Sequence, residues 1–159
     1  DWSYRELIPH ELQKGFGFVN SKPSTGFAPI AITPDSLGDL WNNGKLNLAV
    51  ECKLNGIKIG SPIASEDMVF NFGQLISHAA KTRDLSAGTI IGSGTVSNRD
   101  VTRGSSCLLE KRMLEILSGG NATTSYLKSG DVIHIEVFGN NTESIFGQIK
   151  QKVVGVNKK

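Results

Sequence analysis

Asp1, Arg5, Lys22, Ser24 and Thr25 set a carboxylate, a guanidinium, an ammonium and two hydroxyls within the first stretch of the chain, DWSYRELIPHELQKGFGFVNSKPST. Such groups can bind an anion or hold charge at a reacting centre. Their crowding at the very start implies that Asp1 already belongs to a site, and that the segment is cut from something longer. A second candidate is Gly92-Ser93-Gly94-Thr95-Val96-Ser97-Asn98. Glycines there let backbone N–H groups face an anion, and Thr95 or Ser97 adds a hydroxyl donor. The plainer reading is a tight turn. It is not a P-loop, because the lysine after the second glycine is missing, and no GxGxxG fingerprint occurs.

Glu110 lies among apolar neighbours. Buried on one face of a strand, it would serve as a base or orient one. Facing outward, it would pair with Lys111 or Arg112, and the residues alone favour that. His78 sits on an apolar helix and reads as structural. His134 alternates with Ile133 and Ile135 and reads as solvent-facing. His10, beside Pro9, has no clear role. Asp67-Met68 reads as a turn. Hydroxyls are abundant, but no spacing specifies a Ser-His-Asp triad.

The elements that must position these residues are short. Eighteen glycines divide 159 residues into pieces, which predicts a β-rich fold with many turns. Arg5 to Leu12 predicts a helical turn limited by Pro9. Phe16 to Asn20 reads as extended, and Ser21 to Gly26 as a loop. Pro29 to Thr33 predicts a strand, and Asp35 to Leu40 a short helix capped by Asp35. Leu46 to Leu54 alternates as a half-buried strand. Asn55-Gly56 is the best hairpin signal, with Ile57 to Ile63 returning. Asn71 to Lys81 is the clearest helix, with Asn71 as cap. Leu85 to Ile91 is an apolar strand before the glycine turn. Leu108 to Leu117 fits either a helix or a strand. Asp131 to Phe138 is a strand, and Ser144 to Val156 closes the chain with one or two more.

Composition bounds the class. One domain with a real core is expected at this length, and 38% hydrophobic residues argue against disorder. A net charge of +2 with scattered Lys and Arg gives no nucleic-acid surface, and Lys158-Lys159 is a solvated tail. Apolar runs are too short for a bilayer span, so no membrane partner is expected. Cys52 and Cys107, among apolar neighbours, read as reduced buried thiols of a cytoplasmic protein.

Over nearly its whole length the chain resembles the C-terminal part of the fumarylacetoacetate hydrolase family. The residues that carry this are Asp1-Trp2-Ser3 with Arg5, Lys22 in the SKPST loop, Asp67-Met68-Val69-Phe70, Ile91-Gly92-Ser93-Gly94-Thr95, Glu110 and Phe146-Gly147. The resemblance implies an α+β, mainly β fold, a mixed bent β-roll with short helices, usually as a homodimer. It implies a strand for Leu108 to Leu117. It also implies a metal-dependent hydrolase that cleaves a carbon–carbon bond in a diketo acid, with magnesium or calcium held by carboxylates.

Carried over, Asp1, Lys22 and Thr25 fall at the metal, with Ser24 as the alternative hydroxyl. Arg5 and Lys22 face substrate, Thr95 binds its carboxylate, and Glu110 orients the water-activating histidine. The family's Glu-x-Glu pair and that histidine lie upstream, and no Glu-x-Glu occurs here. Most metal ligands are therefore expected from a missing N-terminal segment, and this segment alone should be inactive. Ile8 and Leu12 stand where fumarylacetoacetase proper has Gln and Tyr. The implied setting is cytoplasmic breakdown of tyrosine and other aromatic compounds. Alternatives are a decarboxylase or isomerase of a 2-keto or 2-hydroxy-dienoic acid on the same fold, or a non-catalytic dimerisation module.

Overall fold

Asn55-Gly56 turns the chain back on itself, with φ of 51° and 81° at the two positions, the left-handed pair that a two-residue hairpin needs. In the computed structural model, which describes residues 1–155, this hairpin joins β3 (Val50–Leu54) to β4 (Ile57–Gly60). β3 also pairs antiparallel with β5 (Val132–Val137), and β5 with β6 (Ile149–Lys152). The resulting sheet has the order β4-β3-β5-β6. The Asn55 side chain adds a clamp: it donates to Asp131 at 2.9 Å and accepts the Val132 N–H at 2.9 Å, fixing the start of β5.

Side chains alternate across the sheet. Val50, Cys52 and Leu54 lie opposite Val137, Ile135 and Ile133, which gives one apolar face. Cys52 and Leu48 are buried, and Pro62 fully so. The other face is charged. Glu51 sits opposite Glu136, an arrangement that repels unless each carboxylate has its own cation. Lys53 and Lys58 approach Glu51 at 2.5 and 3.3 Å, and His134 meets Glu136 at 3.0 Å. His134 is thus a partly buried member of this network.

A second hairpin, β1 (Trp41–Asn42) and β2 (Lys45–Leu46), turns through Asn43-Gly44. Trp41 stacks on Phe72 with ring centroids 5.7 Å apart, which docks this hairpin on α3 (Phe72–Ala79). Asn71 caps α3 as expected. Its side chain accepts from Gln74 N, and the Gln74 side chain accepts from Asn71 N, both at 2.9 Å. His78 is exposed in the last turn of α3, and His10 is exposed on α1 (Ile8–Gln13).

Several expectations are corrected. Leu108 to Leu117 is not a strand. It forms α4 (Leu108–Gly119), the longest helix, ending at Gly120 in the left-handed conformation. Its straight-chain residues have high helix propensity. Lys111 pairs with Glu115 one turn on, at 3.3 Å. Glu115 then accepts the N–H groups of Thr123 and Thr124, both at 2.8 Å.

Pro29 to Thr33 is not a strand either: prolines flank it, and Ile30 N–H to Phe146 O is its link to the closing segment. The strand expected over Leu46 to Leu54 is broken, because Leu46 pairs in the small hairpin and only Val50 onward joins the main sheet. Leu85 to Ile91 is irregular. The short α2 (Pro34–Leu37) starts from Thr33, with Asp35 inside its first turn rather than capping it. Phe16 to Asn20 is irregular and bent rather than a strand. The closing segment holds one strand, β6, and its end at Val156, like the Lys158-Lys159 tail, lies outside the described residues.

With sheets of two and four strands and short helices between them, the α+β expectation holds. The apolar interior is small. The accessible surface is 11212 Å², whereas a compact monomer of 17.1 kDa exposes about 7,800 Å². Phe16, Phe18, Val69, Phe70 and Leu117 are all more than half exposed or close to it, at 92, 50, 79, 60 and 84%.

Neither cysteine is in a disulfide. Burial, with the nearby Glu51 charge, pushes the Cys52 thiol up to about 11. A thiol needs its thiolate to react. At pH 8 a disulfide-exchange reagent should therefore modify the half-buried Cys107 first, and Cys52 only on unfolding. Simultaneous labelling of both in the native protein would contradict this.

Candidate active site

The first cluster is built on the chain's own start. Lys22 Nζ lies 3.2 and 3.3 Å from the Asp1 carboxylate oxygens and donates to Ser3 Oγ at 2.7 Å. The Phe18 ring stands 5.8 Å from the same ammonium, close enough for a cation–π contact. Two hydrogen bonds hold the cluster in place, one between backbone groups and one between side chains. Tyr4 N–H donates to Ser21 O at 2.9 Å, and the Trp2 indole N–H donates to Gln151 at 3.0 Å. The latter tether reaches β6, so the start of the chain is fixed to the main sheet. Gly26 leaves room for it, because a Cβ there would meet the Gln151 amide at 2.2 Å. Asp1 is 69% exposed and Lys22 31%, so the pair faces open space.

Of the residues expected to join this cluster, Asp1 and Lys22 do, and Ser3 is an addition. Arg5 is half-buried and makes no hydrogen bond or ion pair among the described residues. Ser24 and Thr25 are exposed beyond Pro23 and make none with the cluster.

The second cluster surrounds the glycine turn. Thr95 and Ser97 line a cleft of about 260 Å³ together with Glu66, Asp67, Met68 and Phe70. Asn98 holds the turn in place: it accepts Ile63 N–H at 2.8 Å and donates to the carbonyls of Ile63 and Glu66 at 3.1 and 3.0 Å. Asp67, at a φ of 58°, accepts Arg99 N–H at 2.9 Å. Ser106 Oγ donates to Val96 O at 2.6 Å. Asp67-Met68 is thus a turn, as its residues suggest, and also a wall of the cleft.

Glu110, in the first turn of α4, enters from the far side. Its Oε1 accepts the Ser97 hydroxyl, while Oε2 is buried with no hydrogen-bond partner among the described residues. Neither Lys111 nor Arg112 pairs with it; Lys111 binds Glu115, and Arg112 packs over Tyr126. An unpaired buried carboxylate oxygen costs about 1–3 kcal/mol, and such an exception asks for a missing partner. No hydrogen bond among the described residues joins this cluster to the first.

The metal expectation meets a partial donor set. Asp1 offers one carboxylate, already facing the Lys22 ammonium. Among the described residues, no three His, Cys, Asp or Glu side chains gather closely enough to hold an ion. Magnesium and calcium take about 6–8 oxygens. These residues therefore do not by themselves make a site for a divalent cation. Calorimetric titration of this chain with magnesium should show binding no tighter than about 10⁻³ M; tight binding would overturn that reading.

Glu11, described below, is marked by no sequence pattern, and Ser3 and Asn98 stand inside marked stretches without a role of their own. Asn98 closes the GSGT stretch, and its double bond to Ile63 is visible only in three dimensions. None of the helices among the described residues is long and apolar enough to cross a membrane.

A search of curated proteins returns no match. The family model described as fumarylacetoacetate (FAA) hydrolase C-terminal matches residues 1–154. That covers nearly the whole chain, including both clusters, and the chain belongs to the fumarylacetoacetate hydrolase family through its C-terminal domain.

Proposed function

We propose that this chain supplies half of the active site of a hydrolase that cleaves a carbon–carbon bond in a diketo acid of the acylpyruvate or fumarylacetoacetate type. Family membership gives the coarser class, an enzyme of hydrolase, decarboxylase or isomerase type. The observation that carries the finer reading is Glu110. Its buried Oε2 is an acceptor with no donor among the described residues, beside a turn that carries the Thr95 and Ser97 hydroxyls. A histidine N–H reaching that oxygen would be held in the tautomer that takes a proton from water.

In this reading water adds to one ketone carbonyl and its proton passes to the histidine. The bond to the central carbon then breaks, and that carbon leaves as an enolate that is reprotonated. The products are a carboxylic acid and a ketone. Lys22 Nζ faces the developing negative charge, Arg5 adds a second cation, and the Thr95 hydroxyl donates to the substrate carboxylate. A divalent cation, magnesium or calcium, would polarise the dicarbonyl oxygens when bound, with Asp1 as one ligand, Thr25 beside it, and the other oxygens from outside the described residues.

Ile8 and Leu12 support a second reading. Ile8 is buried and Leu12 exposed, and neither offers a hydrogen bond to substrate. A smaller acid handled by decarboxylation or isomerisation would need fewer such bonds. Turnover of the enzyme against diketo acids, oxaloacetate and 2-hydroxy-dienoates separates the two. Hydrolysis of a diketo acid supports the first, and activity confined to the others overturns it.

The partner proposed is a second copy of the chain. The surplus of exposed surface exceeds the about 800 Å² per partner that a standard interface needs, and light scattering would show a dimer. The cellular setting proposed is cytoplasmic breakdown of tyrosine or other aromatic compounds.

A further inference from the structure

We infer that Glu11 is the positioning residue for Lys22, an inference that rests on the proposed role of Lys22 at the reacting centre. Glu11 lies on α1, and its carboxylate gathers the loop that carries the lysine. Oε2 accepts Val19 N–H at 3.0 Å, Ser21 N–H at 3.2 Å and the Ser21 hydroxyl at 2.5 Å. Oε1 accepts Asn20 N–H at 2.6 Å. Three successive backbone N–H groups thus converge on one side chain. Such a run of amides is an anion-binding concavity, and here the chain fills it with its own carboxylate.

Ser21 is fully buried at the centre of this arrangement. Its carbonyl accepts Tyr4 N–H, so the peptide just before Lys22 is held from both sides, by Glu11 and by the Asp1–Arg5 stretch. The loop ahead has little else to hold it. Gly15 and Gly17 both have positive φ, and Phe16 is 92% exposed. The strength of the clamp shows in the carboxyl, which the Ser21 hydroxyl and the Val19 amide hold down at about 2. A depressed carboxyl stabilises the loop above its ordinary 4.5 and loses that effect as pH falls toward 2. The clamp is therefore fully set at neutral pH.

Glu11 makes no hydrogen bond or ion pair with Lys22 Nζ or Asp1, so its influence on the pair passes through the backbone of residues 19–21. A reacting group displaced by about 1 Å costs on the order of 10²-fold in rate.

The test compares Glu11→Gln, Lys22→Met and the double variant in the assembled enzyme. Glu11→Gln should lower kcat by about 10–100-fold with little change in KM. The double variant should be no slower than Lys22→Met alone, since Glu11 acts only through that lysine. Two further readouts stand apart from turnover. Amides 19–21 should exchange with solvent at least about tenfold faster in Glu11→Gln, and reductive methylation of Lys22 should speed up.

An additive double variant, or faster exchange with unchanged Lys22 methylation, would overturn the inference and leave Glu11 as a purely structural clamp. If the enzyme turns over none of the diketo acids, the function reading fails. The exchange and methylation results still decide whether Glu11 positions Lys22. Should Glu11→Gln not fold, Ser21→Ala removes one donor from the same carboxylate and should give the same pattern with smaller changes.

Discussion

Replacing Lys22 by methionine should lower kcat by about 10²–10³-fold while leaving the melting temperature within a few degrees. Loss of one group aimed at developing charge costs that much in sites of this kind. The stability side follows from exposure. The Lys22–Asp1 pair faces solvent, with Asp1 69% exposed, and surface pairs contribute about 0–1 kcal/mol. Methionine keeps most of the side-chain length while removing the charge and, with it, the cation–π contact to Phe18. Arginine should not restore activity, because its planar fork cannot place a point charge between the Asp1 oxygens and Ser3. Steady-state kinetics beside a thermal melt would check this. A variant that melts early but turns over normally would show Lys22 to be a structural tie only.

Gly60→Ala should be the most damaging small substitution in the sheet. Gly60 lies on β4 opposite Gly104, and the two chains cross without side chains between them. A Cβ on Gly60 would meet Ser105 N at 2.3 Å and Ser105 O at 2.4 Å, both backbone atoms that cannot rotate away. The flanking bonds, Ser61 N–H to Arg103 O at 2.7 Å and Ser105 N–H to Ile59 O at 3.1 Å, would be pushed apart. Overpacking of this kind costs about 3 kcal/mol, which in a chain of this size lowers the melting temperature by roughly 6–12 °C. The same crossing ties the segment after the glycine turn to the sheet, so activity should fall as well. A melt within about 2 °C of the parent would show that the crossing can open without loss.

Local chemistry made some elements legible and hid others. The Asn55-Gly56 hairpin and the Asn71 cap could be read because each signal lies within a few residues of the structure it makes. Asn43-Gly44 carries the same hairpin signal, yet its strands are only two residues each and show no alternation. Residues 108–117 satisfy both periods, and resemblance chose the strand against a propensity that favoured the helix. Pro29 to Thr33 has the apolar composition of a strand, but a strand is defined by a partner, and sequence does not name partners.

At the site, the family resemblance points to Asp1, Lys22, Thr95 and Glu110, whereas the residues alone favour an outward-facing Glu110. Nothing in spacing distinguishes Glu11, which clamps a loop eight to ten residues away, from the neighbouring surface glutamate Glu6. The orphaned oxygen of Glu110 is likewise a property of packing that no composition reveals.

The pairing of β3 with β5 places Val50 opposite Val137. During synthesis, β3 and β4 leave the ribosome with one edge of β3 unclaimed. At about 5–20 residues per second, the strand that covers it arrives roughly 5–15 s later. For that interval a row of free backbone groups is open to the wrong partner. Glu51 and Lys53, on the waiting strand, put charge on the face that stays polar and make mispairing with another nascent chain less favourable. Closing so long a loop is also entropically slow. The full four-stranded sheet, and with it the anchor for the Lys22 cluster, can form only after β6 has been made.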